Sequence, residues 1–327
     1  MKRFTRPLGA KGFGRATCRS ALILALLSLG IVSLPNTAAA DAPKSFSSPD
    51  KAVAALVDAV RNKNLDALLS VLGPSTREWL ISGDKVQDQA ARARFIAAYD
   101  AKHGIAREGD AKAVLVIGDD DYPFAIPLVK GEKGWAFDPE QGREEILDRR
   151  IGENELNTIQ TLRAIADAQR EYAGEDRNGN GLLEYAAKFR SAEGKRDGLY
   201  WPTDDGEPLS PLGPLVIEAT AEGYAPRTSG TGDGGTNAFH GYRFKLLKKQ
   251  GAEANGGAHD YVVDGKMIGG FAVLAYPAKY GASGIMTFVI NHDGVVFETD
   301  LGPETELKAK EIDRFNPDKN WKKSETQ

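Results

Sequence analysis

Residues 153–202 read ENELNTIQTLRAIADAQREYAGEDRNGNGLLEYAAKFRSAEGKRDGLYWP, and this stretch decides how the rest of the chain is interpreted. Its first part carries apolar side chains at steps of three and four residues, the spacing of one stripe on an α-helix. The other positions are mostly charged or polar, which predicts an amphipathic helix packed on a sheet. We expect it to end at Gly174, since glycine tolerates a left-handed conformation after the last turn. The expected stripe is Leu156, Ile159, Leu162, Ile165, Ala166, Gln169 and Tyr172.

The loop after this helix matches the first half of a calcium-binding loop. Asp176, Asn178 and Asn180 place oxygen-bearing side chains at loop positions one, three and five, and Glu184 stands at position nine. Position twelve normally supplies a bidentate Glu, but here it is Ala187. Two interpretations stay open. The four side chains bind Ca²⁺, or the segment is a metal-free polar turn of the kind that Asn, Asp and Gly favour.

The first 40 residues have the pattern of a secretory signal peptide. Six Lys and Arg residues precede an apolar run at 21–32, and three alanines at 38–40 form a small-residue cleavage site before Asp41. The apolar run is too short to cross a bilayer as a stable helix. We therefore expect cleavage after Ala40, a periplasmic location, and no membrane span in the remaining chain.

The composition of the expected mature chain excludes several classes of function. Removal of residues 1–40 leaves 36 Lys and Arg against 46 Asp and Glu, a net charge of −10. Such an acidic protein is a poor partner for nucleic acid or for an anionic membrane surface. The one cysteine, Cys18, lies in the segment to be removed. The mature chain therefore has no disulfide, thiolate metal site or cysteine nucleophile.

The mature chain is predicted to divide into two α+β units. Residues 41–142 read as helices followed by a strand meander, comparable to a nuclear-transport-factor-2-like unit. Residues 143–315 read as the long helix followed by an antiparallel sheet of about five strands, an order similar to that of pilins and pseudopilins. Residues 144–150 are expected to continue the long helix as one rod, and residues 316–327 to form a frayed polar tail.

Individual elements follow from local signals. Ser48 before Pro49 predicts a helix start, because Ser caps helices and Pro is tolerated in the first turn. Further helices are expected near 65–72 and at 89–101, and NHDG at 291–294 predicts a hairpin turn. Residues 224–235 read as a long loop. The expected strands are 113–117, 124–129, 135–137, 242–247, 260–263, 271–276, 286–290 and 295–299.

Several separated phrases occur together and in order along the chain. On these phrases the chain resembles DUF2950, a family of exported bacterial proteins of unknown function. The resemblance covers nearly all of the expected mature chain, and it implies no catalytic residue and no cofactor. The phrases are Phe137 with Asp138, 149–155 (RRIGENE), Ala168 and Gln169 with Tyr172 and Asp176, 197–202 (DGLYWP), 210–214 (SPLGP), 280–284 (YGASG) with 286–288, Asp293 with Gly294, and 300–302.

Three hypotheses for the function remain, and the first leads because no coherent catalytic set is present. In the first, the protein is a non-enzymatic module that binds another protein of the cell envelope. In the second, it is a periplasmic hydrolase in which His240 and His259, which flank a predicted strand, converge with Asp233 or Asp260. In the third, calcium bound at residues 176–184 stabilises a structural module.

Overall fold

The structure, a computed structural model, describes residues 42–225 and 238–325 of the 327-residue chain. The predicted signal peptide, its cleavage site and most of the predicted loop at 224–235 lie outside these residues. Within the described residues, no helix is long and apolar enough to cross a membrane.

Four helices open the described part of the chain. Ser48, Asn64 and Asp84 each precede a helix and accept a hydrogen bond from a backbone N–H of its first turn. These side chains satisfy amide groups that a helix leaves unpaired at its start. The predicted starts at Ser48 and near residue 65 are confirmed. The helices are α1 (Pro49–Arg61), α2 (Leu65–Leu72), α3 (Arg77–Leu80), which follows a 3₁₀ turn at Pro74–Thr76, and α4 (Lys85–Ala101).

A first antiparallel sheet follows the helices. Its strands run in the order β1-β2-β4-β5, and β3 pairs with β2. The strand β1 was not predicted, because most of its side chains are exposed and show no apolar alternation. The strand expected at 124–129 begins only after Pro127, which has no N–H to donate to the ladder. The strands are β1 (His103–Glu108), β2 (Lys112–Ile117), β3 (Tyr122–Pro123), β4 (Leu128–Gly131) and β5 (Gly134–Phe137).

One helix of 35 residues, α5 (Pro139–Ala173), joins the first sheet to the rest of the chain. It confirms the prediction of a continuous rod. The helix ends at Gly174 as expected, but Gly174 has φ −71° and ψ −15°, which is not left-handed. Its N–H instead donates to the carbonyl of Glu171 at 3.2 Å, so a tight turn ends the helix.

The buried face of α5 differs from the predicted stripe at one position. Leu156 is 48% exposed. It lies along the helix in line with Gln160 and Arg163, whereas the polar residues Asn154 and Thr158 are fully buried. The remaining predicted positions from Ile159 to Tyr172 are buried.

A second antiparallel sheet runs in the order β14-β13-β12-β11-β6. The hairpin predicted at 291–294 joins β12 to β13. The strand expected at 260–263 is not in this sheet, since its residues pair in two small ladders, β7–β8 and β9–β10. The elements after α5 are α6 (Gly213–Ala221), β6 (Tyr242–Leu247), β7 (Lys249–Gln250), β8 (His259–Asp260), β9 (Val262–Val263), β10 (Lys266–Met267), β11 (Ala272–Pro277), β12 (Met286–Asn291), β13 (Val296–Asp300), α7 (Thr305–Glu311) and β14 (Lys322–Lys323).

The C-terminal segment is folded, so the expectation of a frayed tail was wrong for the described residues up to 325. Lys322 and Lys323 pair with Glu298 and Phe297. Trp321 packs against the apolar core beneath them. The polar composition of the tail did not indicate this contact, because backbone pairing, other hydrogen bonds to the sheet and one aromatic side chain hold it in place.

Two clusters of buried apolar side chains lie within the compact unit Ala40–Gln327. One, drawn from residues 52–137, lies among the N-terminal helices and the first sheet. The other, drawn from residues 159–315, lies where α5 packs on β11 and β12. The α+β class is confirmed. The division at residue 142 and the nuclear-transport-factor-2-like and pilin-like comparisons stay predictions.

Candidate binding cleft

Residues of α5 hold the segment that connects β11 to β12. Arg150 Nη1 donates to the carbonyl of Ala282 at 3.3 Å, and Asn154 Nδ2 donates to the carbonyl of Ser283 at 2.7 Å. Two of the phrases behind the family resemblance, 149–155 and 280–284, are therefore direct contact partners.

Glu155 completes this set of contacts. Its Oε1 accepts hydrogen bonds from the backbone N–H groups of Ile285 and Met286, at 2.9 and 3.0 Å. Gly284 is required here for a steric reason, because a Cβ at this position would lie 2.1 Å from the Tyr242 hydroxyl oxygen. The position of α5 relative to the second sheet is thus fixed by polar contacts as well as by the apolar core.

Two basic side chains also connect this region to α3. Arg150 Nη1 donates to the carbonyl of Trp79 at 2.7 Å, and Lys279 Nζ donates to the carbonyl of Ile81 at 3.3 Å. Cations are favourable at this end of a helix, where carbonyl groups lack helical partners. Burial lowers the pKa of Arg150, and the negative charge of Asp88 opposes that shift. These bonds join α5 and the connection between β11 and β12 to carbonyl groups at the end of α3 through part-buried side chains.

The most connected buried carboxylate is that of Asp84, which is 2% exposed. Its Oδ2 accepts from the Tyr224 hydroxyl at 2.8 Å and from the Gly241 N–H at 3.0 Å. The His240 N–H donates in turn to the Tyr224 oxygen at 3.2 Å. Burial, followed by the charge of Asp84, raises the pKa of Tyr224, so this phenol stays protonated. Asp84 therefore sets the positions of Tyr224 and His240.

Gly241 permits the close approach of α5 to this segment. It has φ +75°, and a Cβ would lie 2.3 Å from Asn154 Nδ2. Asn154 also accepts a hydrogen bond from Gln87 Nε2 on α4. Asn154 thus links α4 and the connection between β11 and β12, which explains why a polar residue occupies the buried face of α5.

These contacts border a cleft of about 560 Å³ between α4, α5 and α6. Its volume lies within the range of about 300–1,000 Å³ that small-molecule sites occupy. Polar and charged side chains alternate in the lining with a few apolar ones. The charged or titratable members of the lining are Arg94, Glu153, Glu218, Glu222, Tyr224 and His240.

His240 bridges two walls of the cleft. It has φ 48°, which is uncommon for a residue other than glycine. Its Nε2 lies 3.2 Å from Glu222 Oε2, and its Nδ1 lies 3.4 Å from Asn157 Nδ2. A neutral imidazole satisfies both contacts, since the amide group of Asn157 donates to Nδ1 and Nε2–H donates to Glu222. The arrangement holds the imidazole between two walls of the cleft, where it can orient a ligand.

Both hydroxyl groups of the lining already donate elsewhere. Thr161 Oγ1 donates to the carbonyl of Asn157 at 2.8 Å, and the Tyr224 hydroxyl donates to Asp84. A nucleophilic hydroxyl needs a base within hydrogen-bond reach. The Thr161 contact supplies no base, since it is made to a backbone carbonyl, whereas the Tyr224 contact is made to the Asp84 carboxylate, and the pKa of this phenol is raised.

His259 lies elsewhere, and the expected convergence of His240 with His259 is not found. His240 precedes β6, whereas His259 pairs with Gln250 beyond the other end of β6. The six residues of β6 alone span roughly 17 Å. The two ring nitrogens of His259 lie 3.2 Å from the carbonyl oxygens of Gly257 and Gly269. Of the two carboxylates expected beside them, Asp260 follows His259 in β8, and Asp233 lies outside the described residues.

The four predicted calcium ligands do lie on one loop. Asp176 accepts hydrogen bonds from the N–H groups of Asn180 and Gly181, at 3.0 and 2.8 Å. Glu184 Oε1 accepts from the side-chain amides of Asn178, at 2.5 Å, and Asn180. No group of three or more His, Cys, Asp or Glu side chains is placed to hold a metal in the parts of the chain at 42–225 and 238–325. Calcium binding therefore stays a prediction.

Sequence reasoning identified His240 but missed the residues that position it. Asp84 carries a local signal, since Asp before a helical segment is a common N-cap. Its second role, as acceptor for Tyr224 and Gly241, has no local signal. Tyr224 lies at the start of the predicted long loop, yet its hydroxyl makes one of the contacts that define the cleft.

The fold and the cleft define a class: an α+β protein whose described part contains two five-stranded antiparallel sheets and a polar cleft bordered by α4, α5 and α6. The family model described as "Protein of unknown function (DUF2950)" matches residues 43–324, and the chain belongs to that family. This confirms the resemblance seen in the sequence. No match was found among curated proteins or among solved structures.

Proposed function

We propose that this chain is an exported, non-enzymatic binding protein of the cell envelope, and that the cleft between α4, α5 and α6 holds its ligand. The observation that carries the proposal is the buried contact set around Asp84. It fixes Tyr224 and His240 before any ligand arrives. Preorganised side chains reduce the entropy lost on binding, which is what a binding site requires.

Export is supported by the signal-peptide pattern and by the extent of the family match. The match begins at residue 43, just after the expected cleavage site following Ala40. The test is cell fractionation followed by mass spectrometry of the intact protein. We expect a periplasmic protein whose first residue is Asp41. A full-length chain that stays in the cytoplasm would contradict export.

The binding role is tested with a variant that fills the cleft. Ala90 of α4 lines the cleft, whereas Ala91 is exposed and does not. Ala90→Trp should block access, and Ala91→Trp adds the same side chain outside it. Tagged wild-type and variant proteins are used to capture partners from a periplasmic extract. We expect an identified partner to be retained by wild type and Ala91→Trp, and lost with Ala90→Trp. Equal capture by all three would contradict a role for the cleft.

A second proposal is that calcium stabilises this module. It is supported by the position of Asp176, Asn178, Asn180 and Glu184 on one loop, where the Glu184 carboxylate contacts the side-chain amides of both Asn178 and Asn180, and all four side chains carry oxygen atoms of the type that binds calcium. It concerns stability and is independent of the cleft.

A further inference from the structure

The chain contains three Asn-Gly pairs, which begin at Asn178, Asn180 and Asn255. In such a pair the backbone nitrogen of the glycine can attack the side-chain amide of the asparagine, because glycine has no Cβ to hinder the approach. In a folded protein the reaction also depends on hydrogen bonds. Groups that are already bonded react only after a local opening of the structure, which costs free energy.

Two of the pairs lie in the loop that carries the predicted calcium ligands, and both are held by hydrogen bonds. Asn178 Nδ2 donates to Glu184 Oε1 at 2.5 Å, and Asn178 Oδ1 accepts from the Asn180 N–H at 3.2 Å. The side-chain amide of Asn180 also donates to Glu184. The Gly181 N–H, whose nitrogen would attack Asn180, donates to Asp176 Oδ2 at 2.8 Å. Both asparagine side chains are therefore engaged in the folded state.

The third pair, Asn255 and Gly256, is exposed and has its reacting groups free. Among the described residues, neither the Asn255 side chain nor the Gly256 N–H has a hydrogen-bond partner. The Gly257 N–H donates to the carbonyl of Ala254 at 3.0 Å, and Gly256 has φ +85°. The pair thus occupies the two central positions of a β-turn, where glycine readily adopts a positive φ.

The carbonyl groups of this turn, in contrast, are bonded to a buried side chain. Gln250 is 2% exposed, and its Nε2 donates to the carbonyls of Asn255 and Gly257, at 2.6 and 2.8 Å. Gln250 Oε1 accepts from the Tyr261 hydroxyl at 2.8 Å. Two backbone oxygen atoms therefore anchor the turn to the protein, while the two groups that react with each other face solvent.

We propose that Asn255 is a site of spontaneous deamidation in the folded protein, and that the folded loop protects Asn178 and Asn180 from the same reaction. The Gly256 nitrogen gives up its proton and bonds to Asn255 Cγ, and Asn255 Nδ2 leaves with a proton as ammonia. Water then opens the cyclic imide at either carbonyl, which yields aspartate or isoaspartate with no change of oxidation state. This modification is independent of the proposed binding function.

The isoaspartate product should weaken the fold locally. Its backbone runs through the side-chain carbons, which adds a methylene group to the turn and displaces the carbonyl that Gln250 Nε2 contacts. A buried donor that loses its acceptor is costly. We expect the isoaspartate form to melt about 3 °C below the unmodified protein. An unchanged melting temperature would contradict the anchoring of the turn by Gln250.

Peptide mapping by mass spectrometry tests the site. Folded protein and protein in urea are incubated in mildly alkaline buffer, because the attacking nitrogen must be deprotonated. In urea the local sequence alone decides, so the three asparagines should react within about threefold of one another. In the folded protein Asn255 should react roughly tenfold faster than Asn178 or Asn180, since only the latter two require a local opening.

Two variants test the two halves of the proposal. Asn255→Gln should abolish conversion at this position, because the longer side chain does not form the five-membered imide. Asp176→Ala frees the Gly181 N–H, so Asn180 should react about tenfold faster in the folded protein while the rate at Asn255 stays the same. Melting curves check that both variants fold.

The wild-type map decides the proposal even if a variant fails to fold. A folded protein in which Asn255 reacts no faster than Asn178 and Asn180 would overturn it. The same holds if Asn255 stays intact in the folded protein and converts only in urea. Preferential conversion of Asn255 in the folded protein, together with similar rates in urea, supports it.

Discussion

The Tyr224 hydroxyl donates to Asp84 Oδ2 at 2.8 Å, although the two residues are 140 positions apart in the chain. Asp84 Oδ1 at the same time accepts from two backbone N–H groups in the first turn of α4. One carboxylate therefore caps a helix of the N-terminal part and fixes an aromatic side chain of the cleft. The stability of the helix and the geometry of the site depend on the same group.

Asp84→Ala should destabilise the protein strongly. The change leaves the Tyr224 hydroxyl and the Gly241 N–H without their buried acceptor and removes the cap of α4. Together these losses should lower the free energy of unfolding by about 3 kcal/mol. Urea unfolding measures the change.

Tyr224→Phe is the matched control for Asp84→Ala. It removes one hydrogen bond and keeps the ring, so the free energy of unfolding should fall by about 1 kcal/mol. If Asp84→Ala costs no more than Tyr224→Phe, the carboxylate does not have the organising role assigned to it.

Gly241→Ala should be far more harmful than an alanine at a comparable glycine. Gly241 and Gly281 both have left-handed backbones, with φ +75° and +70°. A Cβ at Gly281 meets nothing within 4 Å, so Gly281→Ala should cost only the backbone strain, about 1 kcal/mol.

At Gly241 the added Cβ also collides with the amide of Asn154, so the cost should reach about 3 kcal/mol. Thermal or urea unfolding of the two variants gives the difference directly. Equal losses would show that the Asn154 amide moves aside freely, and that the approach of α5 to this segment is not tight.

The elements of the fold were largely predictable, because a buried helical or strand face repeats at a fixed period. Prediction from the sequence fails at single residues. Leu156 was placed on the buried stripe by its apolar side chain, but Asn154 occupies that face because its amide contacts Ser283, 129 positions away. The cleft is also formed by contacts between residues that are distant in the sequence. The contacts that form it join Asp84 to Tyr224 and Gly241, and no pattern in the local sequence predicts which distant residues come into contact.

Calcium should raise the melting temperature if the loop at 176–184 binds it. Binding to the folded state alone stabilises a protein by about 2.7 kcal/mol when the ligand is at one hundred times its dissociation constant. The measurement is a set of melting curves with calcium, with magnesium and with a chelator. Identical melting curves under the three conditions would contradict calcium binding.

Glu184→Gln refines the calcium test. The variant keeps an oxygen that can accept from the amides of Asn178 and Asn180 but loses the charge. In chelator its melting temperature should stay close to that of wild type, and the shift caused by calcium should shrink. A shift of full size in the variant would exclude Glu184 as a ligand.

Alkaline pH should destabilise the protein through Tyr172. Its hydroxyl donates to the carbonyl of Arg196 at 2.6 Å. Burial, followed by the negative charges of Glu184 and Asp197, raises the pKa of Tyr172 to about 12 from the ordinary value of 10.0. Because the folded-state pKa is the higher one, this stabilisation is complete below pH 10 and is lost as the pH rises from 10 through about 12.

The free energy of unfolding should therefore fall over that pH interval, and it should fall less steeply in Tyr172→Phe. Tyr242 and Tyr261, which are buried, and Tyr224, which is part-buried, also have raised pKa values, so the slope should shrink without vanishing. Tyr122→Phe, at a side chain that is 45% exposed, controls for the loss of a phenol. Urea unfolding across the alkaline range measures all three proteins. A slope in Tyr172→Phe as steep as that of Tyr122→Phe would show that the Tyr172 hydroxyl does not couple ionisation to folding.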